Sequence, residues 1–253
     1  MSRRLKSIGF ALLRIYVVVC LGVTVIQRTM LYFPTHEESG RLAKAFGLKE
    51  WVLNGETIGY GRAMEAPKRV WLVLHGNGGQ AIDRVYALPA FGREDAVFIL
   101  EYPGYGGRKG SPSRDSFNAA AKEAYSFLRA TYPKGEVSVF GESLGSGPAC
   151  SLASLPTPPD RLVLVVPFDR LVEVAREKMP FLPIGLMMFD RWDNIEALAA
   201  YRGRVDIYGA TGDVVIPMRH ARALADAVNG SHFHELKCGH NEWADTNGID
   251  LSR

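Results

Sequence analysis

Val137-Ser-Val-Phe-Gly-Glu-Ser-Leu-Gly-Ser-Gly-Pro-Ala-Cys150 is the stretch around which this chain is organised. Its first four residues read as a short buried strand, and residues 144–153 read as the start of a helix packed behind it. Between them lies Gly141-Glu142-Ser143-Leu144-Gly145, a G-x-S-x-G match at a sharp strand-to-helix turn. Such a turn needs small residues on both sides of the serine, because the backbone is strained and neighbouring elements approach closely. It holds a hydroxyl in front of a helix N-terminus, whose partial positive charge favours developing negative charge. The pentapeptide alone is a weak signal, and its strand–turn–helix setting is what gives it weight. The competing reading of Ser143 is an ordinary helix N-cap.

Outward from this stretch, apolar runs alternate with helical spacing. Residues 51–53 and 57–63 read as antiparallel strands around Asn54-Gly55, a strong hairpin signal. Further strands are expected at 69–74, 96–101, 161–166, 205–210 and 232–236, which with 137–140 makes eight. Helices are expected at 81–91, 113–132 and 218–228, with one short helix at 40–46. Continuous apolar strands separated by helices imply an α/β architecture, a mostly parallel sheet covered by helices on both faces. Only some thirty-five residues separate the 161–166 and 205–210 strands, so any cap is small or absent.

The chain has 253 residues, 47% hydrophobic and 23% charged, enough for one sizeable core. Its net charge of +3 is small and partly local to the N-terminus, and no basic stripe is interleaved with aromatics. Nucleic acid is therefore not an expected partner. Three cysteines without a C-x-x-C pattern give no disulfide framework. His75, His220 and His240 lack the local spacing of a zinc motif, and no metal or cofactor is expected. Oligomeric state is not legible.

Residues 8–26 are apolar except for Arg14 and Thr24, and nineteen helical residues reach about 28 Å, close to the hydrocarbon thickness of a bilayer. The reading adopted is an uncleaved single-pass anchor over 1–27, a connector over 28–50 and a catalytic body over 51–253. Arg3, Arg4 and Lys6 put the N-terminus in the cytoplasm and the body on the extracytoplasmic side. The rivals are a signal peptide, for which no A-x-A-like cleavage site follows the run, and a buried core helix.

In an open parallel sheet, ligands bind outside the carboxyl ends of the strands. His75-Gly-Asn77, Tyr102 to Gly106, Gly141 to Gly145 and Gly212-Asp213 all fall at such ends, and His240 follows the last strand. A serine hydroxyl becomes a useful nucleophile when a base takes its proton and a third group orients that base. The order of serine, acid and late histidine is the one described for α/β hydrolases. Over nearly all of residues 51–243 the chain resembles that superfamily, on His75-Gly-Asn-Gly-Gly79, Tyr102-x-Gly-Tyr-Gly106, Gly141-Glu-Ser-Leu-Gly145, Gly212-Asp-x-x-x-Pro217 and Gly239-His-Asn241. It is most similar to the membrane-anchored bud-emergence-type branch, which includes depalmitoylase-like relatives. It departs from that branch at Glu101, Pro103 and Ser146.

The resemblance implies an α/β-hydrolase fold, with Ser143 as nucleophile, His240 as general base and then acid, and Asp213 as orienting carboxylate. The backbone N–H groups of Leu144 and, by resemblance, Asn77 would form the oxyanion hole. The implied activity is hydrolysis of acyl esters or thioesters through an acyl-enzyme, at a membrane. The alternatives are a membrane-tethered binding protein of the same fold and a peptidase or amidase using the same three groups. Asp190 or Asp193 could stand in for Asp213, and His220, His232 and His234 are the other late histidines. His75 reads as a structural loop histidine, Cys238 as buried packing, and Glu142 as lining the site or solvent. Arg108, Lys109 and Arg114 read as a solvated loop. Residues 179–189 are apolar and Met-rich, which fits a core helix, an adaptable wall for an acyl chain or a face resting on the bilayer.

Overall fold

The structure is a computed structural model describing residues 3–37, 40–246 and 248–252. Met1 and Ser2 of the expected anchor, Glu38 and Ser39 of the expected connector, and Asn247 and Arg253 lie outside the described residues. So do the side chains of Arg3 and Arg4, on which the expected membrane orientation rests.

The strands are β1 (Lys49–Leu53), β2 (Glu56–Arg62), β3 (Val70–Leu74), β4 (Ala96–Leu100), β5 (Val137–Glu142), β6 (Arg161–Val165), β7 (Arg204–Ala210) and β8 (His232–Leu236). They form one eight-stranded sheet in the order β1-β2-β4-β3-β5-β6-β7-β8. The β1/β2 and β2/β4 pairs are antiparallel, and every other pair is parallel. The hairpin forms because Asn54 (φ 52°) and Gly55 (φ 81°) both adopt the left-handed conformation its two-residue turn requires.

The two-residue period of a strand divides the core between the faces of the sheet. Leu72, Val139 and Leu164 pack on one face with Phe117 and Ala149, and Trp71, Phe140 and Val163 pack on the other with Ile82, Phe91 and Trp243. All six strand residues are wholly buried. Each contributes about 1.5–3 kcal/mol, which is why these strands read as unbroken apolar runs.

The helices are α1 (Arg3–Leu31), α2 (Gly40–Ala45), α3 (Arg114–Thr131), α4 (Ser146–Ser151), α5 (Leu171–Lys178), α6 (Ile184–Met187), α7 (Asn194–Leu198) and α8 (Met218–Ala227). Ser113 caps α3 by accepting from the Ser116 N–H. The segment expected as a helix over 81–91 is a 3-10 helix, Ala81–Ala90. Pro89 lacks an N–H there, and the Asp83 carboxylate turns back to accept from the Gln80 N–H at 2.9 Å. The helix behind the elbow is shorter than expected, and after a 3-10 turn the chain is extended at Leu155 (ψ 153°), the residue before Pro156.

At the N-terminus α1 runs four residues past the expected anchor end at 27, to Leu31. Its Lys6–Leu31 portion is long and apolar enough to cross a membrane, with mean hydropathy 2.3 over a window that is wholly unburied. The following residues are tied to the body: Phe33–Pro34 pair in parallel with Gly78–Gly79. A two-residue ladder carries no hydrophobic period, so nothing in the residue pattern marked it.

Candidate active site

The carboxyl ends of β3, β5, β7 and β8 bring four loops to one rim of the sheet. Ser143 follows β5 with φ 50°, a left-handed conformation rare for a residue with a side chain. Its neighbours explain how that is held. A Cβ on Gly145 would lie 2.1 Å from the Leu74 carbonyl oxygen, and one on Gly141 would lie 2.8 Å from the Ala149 Cβ. Only glycine lets the turn press this closely against β3 and α4.

His240, after β8, places Nε2 2.9 Å from Ser143 Oγ. Its Nδ1 lies 2.6 Å from Asp213 Oδ2, after β7. The other Asp213 oxygen accepts from the Val215 and Ile216 N–H groups, both at 2.8 Å. With the carboxylate so fixed, Nδ1 carries the proton and donates to it, which leaves Nε2 to accept from the serine hydroxyl. The Asp213 side chain is 1% exposed and that of His240 9%, so the three groups interact away from bulk water.

The loop after β3 approaches the same serine, since a Cβ on Gly76 would lie 3.5 Å from Ser143 Cβ. Its position is fixed from several directions. The Tyr105 hydroxyl donates to the Asn77 carbonyl at 2.7 Å and the Tyr102 hydroxyl to the His75 carbonyl at 3.2 Å. Burial pushes both phenols well above their ordinary range, so both stay protonated donors. Arg84 donates to the Gly78 carbonyl, and the Phe33 N–H donates to the Asn77 carbonyl at 3.1 Å. The Asn77 carboxamide donates to the Leu31 carbonyl at 2.9 Å, while the Asn77 backbone N–H has no partner among the described residues. The Tyr102–Gly106 motif therefore braces the His75–Asn77 loop, a function its residues did not disclose.

Glu142 neither lines solvent nor is free. It is 6% exposed and accepts from the Tyr86 hydroxyl at 2.7 Å and the Trp243 indole N–H at 3.0 Å, with Arg84 at 3.7 Å. Burial alone would raise its pKa, but Arg84 and these two donors hold the carboxyl below its ordinary range. Arg108 is likewise no solvated loop residue. It is 8% exposed and donates to the Glu101 carbonyl at 2.7 Å. The partners of Glu142 lie 56 and 101 positions away, so no local signal marked them.

The other candidates are engaged elsewhere. Asp190 pairs with Arg28, and Asp193 caps α7 and pairs with Arg170. His220 is held by Asp169 at 2.8 Å, and His234 stacks on Tyr208. His75 is wholly buried, and Cys238 is only partly so. Among the described residues no group of three or more His, Cys, Asp and Glu side chains is arranged to hold a metal ion.

A family model described as the alpha/beta hydrolase fold matches residues 70–194. An uncharacterised protein of Mycobacterium tuberculosis (strain H37Rv) is 33% identical over 176 residues, 68% of this chain and 62% of that protein. A lysophosphatidylserine lipase, ABHD12, of Danio rerio is 28% identical over 191 residues, 66% of this chain and 49% of that protein. The chain thus spans about half to three-fifths of the length of these relatives. Among solved structures, an esterase of Pyrococcus furiosus superposes with a TM-score of 0.63 at 12% identity, covering 86% of this chain and 96% of its own. A hydrolase of Thermoplasma acidophilum gives 0.55 at 17% identity, covering 78% and 90%.

Proposed function

The chain is an alpha/beta hydrolase by fold, and from that premise we propose that it is a serine hydrolase cleaving acyl esters or thioesters at a membrane surface. The observation that carries this reading is the continuous line from Asp213 through His240 to Ser143, with links of 2.6 and 2.9 Å. A binding protein has no need for a serine held at φ 50° opposite an oriented imidazole.

In the proposed reaction Ser143 Oγ attacks the acyl carbonyl while His240 Nε2 takes its proton, and Asp213 stabilises the imidazolium. The carbonyl oxygen becomes an oxyanion facing the N–H groups of Leu144 and Asn77. Collapse expels the alcohol or thiol, which leaves with the proton from Nε2, and the acyl group remains on Ser143. Water then attacks the acyl-enzyme, giving its proton to His240, and the second collapse returns that proton to Ser143 with release of the acid.

The similarity to proteins named as lysophosphatidylserine lipases supports a lipid ester over a peptide. So does α1, which we assign as a single-pass anchor with a cytoplasmic N-terminus and the body on the opposite side. Fluorophosphonate labelling of the purified full-length chain tests the reading. Wild type labels and hydrolyses p-nitrophenyl acetate, whereas Ser143→Ala does neither and loses at least about 10³-fold in rate. Unchanged turnover in Ser143→Ala overturns it.

A further inference from the structure

Helix α1 does more than lead into the body, because between Tyr16 and Arg28 it is tied to the Met-rich segment and to Asp190 after it. The Tyr16 hydroxyl donates to the Phe181 carbonyl at 2.9 Å, and the Gln27 carboxamide donates to the Met187 carbonyl at 3.0 Å. The Phe189 N–H donates to the Gln27 carboxamide oxygen at 2.7 Å, and Arg28 pairs with Asp190 at 2.9 Å. Between helix and segment lies a small open cleft of about 100 Å³. Val23, Met30 and Leu31 of α1 form one wall, and Met179, Ile184 and Met187 form the other. No charged side chain lines it among the described residues.

The depth of this cleft relative to a bilayer follows from helix geometry. A hydrocarbon core of about 30 Å takes about 20 helical residues. Setting Lys6 at one interface puts Gln27 and Arg28, the first polar pair after the apolar run, at the other. Tyr16 then lies near the bilayer midplane, and the Phe181 backbone bound to it lies at that depth. The exposed side chains Phe181 (87%), Leu186 (85%) and Phe189 (61%) become lipid-facing, which accounts for large apolar groups left outside the core. The cleft, whose α1 wall runs from Val23 to Leu31, accordingly straddles that second interface, with Val23 on the acyl-chain side of it.

Its Leu31 end is linked to the candidate active site through Asn77. Leu31 lines the cleft, and its carbonyl accepts from the carboxamide of Asn77. Asn77 adjoins Gly76, which lies against Ser143. We propose that this cleft binds the acyl chain of a membrane lipid ester, entering sideways from the bilayer, with the chain's own membrane helix as one wall. The proposal rests on the ester-hydrolase reading and names where its substrate is held. The occupant is a single chain because the walls are mostly apolar and flexible, thioether-rich on the body side, and the Val23 end of the cleft meets the hydrocarbon layer. A substrate whose ester sits at the headgroup level would project its carbonyl toward Ser143 as its chain lies along α1.

The test uses the full-length protein in detergent and p-nitrophenyl esters of acetate, hexanoate and decanoate. The readout is the ratio of kcat/KM for decanoate to that for acetate. Val23→Trp and Met187→Trp, which fill the cleft from opposite walls, lower the ratio about tenfold, as expected from losing the burial of about two methylene groups. Ile15→Trp, on an exposed part of α1 outside the cleft, leaves it at the wild-type value. Met187→Ala widens the cleft and moves the preference toward longer chains, which decides the matter where a Trp variant does not fold. A wild-type ratio in Val23→Trp and Met187→Trp protein that still labels with fluorophosphonate overturns the proposal. A fall in Met187→Trp alone overturns the part assigned to α1. If wild type neither labels nor turns over acetate, the ester-hydrolase reading fails instead. The cleft is then read by a fluorescent dodecanoate, whose binding by wild type and loss in Val23→Trp supports a chain-binding site, and whose equal binding by both overturns it.

Discussion

The carboxylate of Glu142, one residue before Ser143, accepts a hydrogen bond at 3.0 Å from the indole of Trp243, three residues after His240. Two segments 101 positions apart are thereby joined beside Ser143 and His240, and Tyr86 and Arg84 complete the tie. Glu142→Ala leaves the Trp243 indole and the Tyr86 hydroxyl without their acceptor and Arg84 without its counter-charge, and costs about 3–5 kcal/mol in unfolding free energy. Glu142→Gln keeps an acceptor oxygen and costs less. Urea unfolding of both variants, read beside their ester turnover, checks this order, and equal stabilities would refute it.

The Asn77 carboxamide is bound to Leu31, so Asn77→Ala retains the backbone N–H but frees the loop that carries it. Under the proposed mechanism an oxyanion donor loosened rather than deleted loses part of the 10²–10³-fold that deletion costs, about tenfold in kcat. KM on a short ester is expected to stay near the wild-type value. Steady-state kinetics on p-nitrophenyl acetate decide it, and a change confined to KM counts against a transition-state effect.

Asp213→Asn presents an N–H where the carboxylate oxygen accepts from His240. The imidazole then carries its proton on the wrong nitrogen for Ser143, and kcat falls by about 10⁴. Folding is expected to survive, since the carboxamide oxygen can still accept from the Val215 and Ile216 N–H groups. Near-wild-type melting with turnover reduced on that scale is the expected pair of readings.

Gly145→Ala puts a methyl group 2.1 Å from the Leu74 carbonyl oxygen and 2.6 Å from that of His75. Both obstacles are backbone, so the elbow itself must move. The substitution is expected to destabilise by about 1–3 kcal/mol and to displace Ser143. Fluorophosphonate labelling rate and melting temperature should fall together, whereas a fall in melting alone argues against displacement of the serine.

Away from the site, His220 is held by Asp169 and Glu177, at 2.8 and 3.3 Å. The hydrogen bond to Asp169 raises the His220 pKa from about 6.5, outweighing the opposing effect of burial. Its hydrogen bonds hold the Asp169 carboxyl below its ordinary range against burial, and Glu177 is lowered by Arg219 and then His220. The histidine's contribution is complete below about pH 6.5 and is lost as pH rises through its raised value. The carboxylates' contribution is complete above about pH 4.5 and is lost as pH falls through their lowered values. Melting temperature measured against pH should therefore decline above pH 6.5 more steeply in wild type than in His220→Gln. Parallel curves would remove the histidine from the account.

The strands and the order of the chemistry-bearing loops were legible because each rests on a short-range pattern. β3, β5 and β6 are buried on both faces and read as unbroken apolar runs, and the Asn54-Gly55 turn has its own backbone requirement. The elbow was legible because glycine is the residue that admits the close approach of β3 and α4. Less was legible where helix type depends on one residue, as at Pro89.

The sequence by itself determined an α/β sheet with a serine, an acid and a histidine at the carboxyl ends of its strands, and a helix apolar enough to cross a bilayer. Periodicity and local backbone preference suffice for that, since both act within a few residues. Only the tertiary structure decided which carboxylate meets His240 and that Glu142 joins the segments carrying Ser143 and His240. It also decided that the end of α1 holds Asn77 and walls a cleft with the Met-rich segment. Those are contacts between residues far apart in the chain, and their geometry is set by how the sheet twists and its helices pack, which no local pattern records.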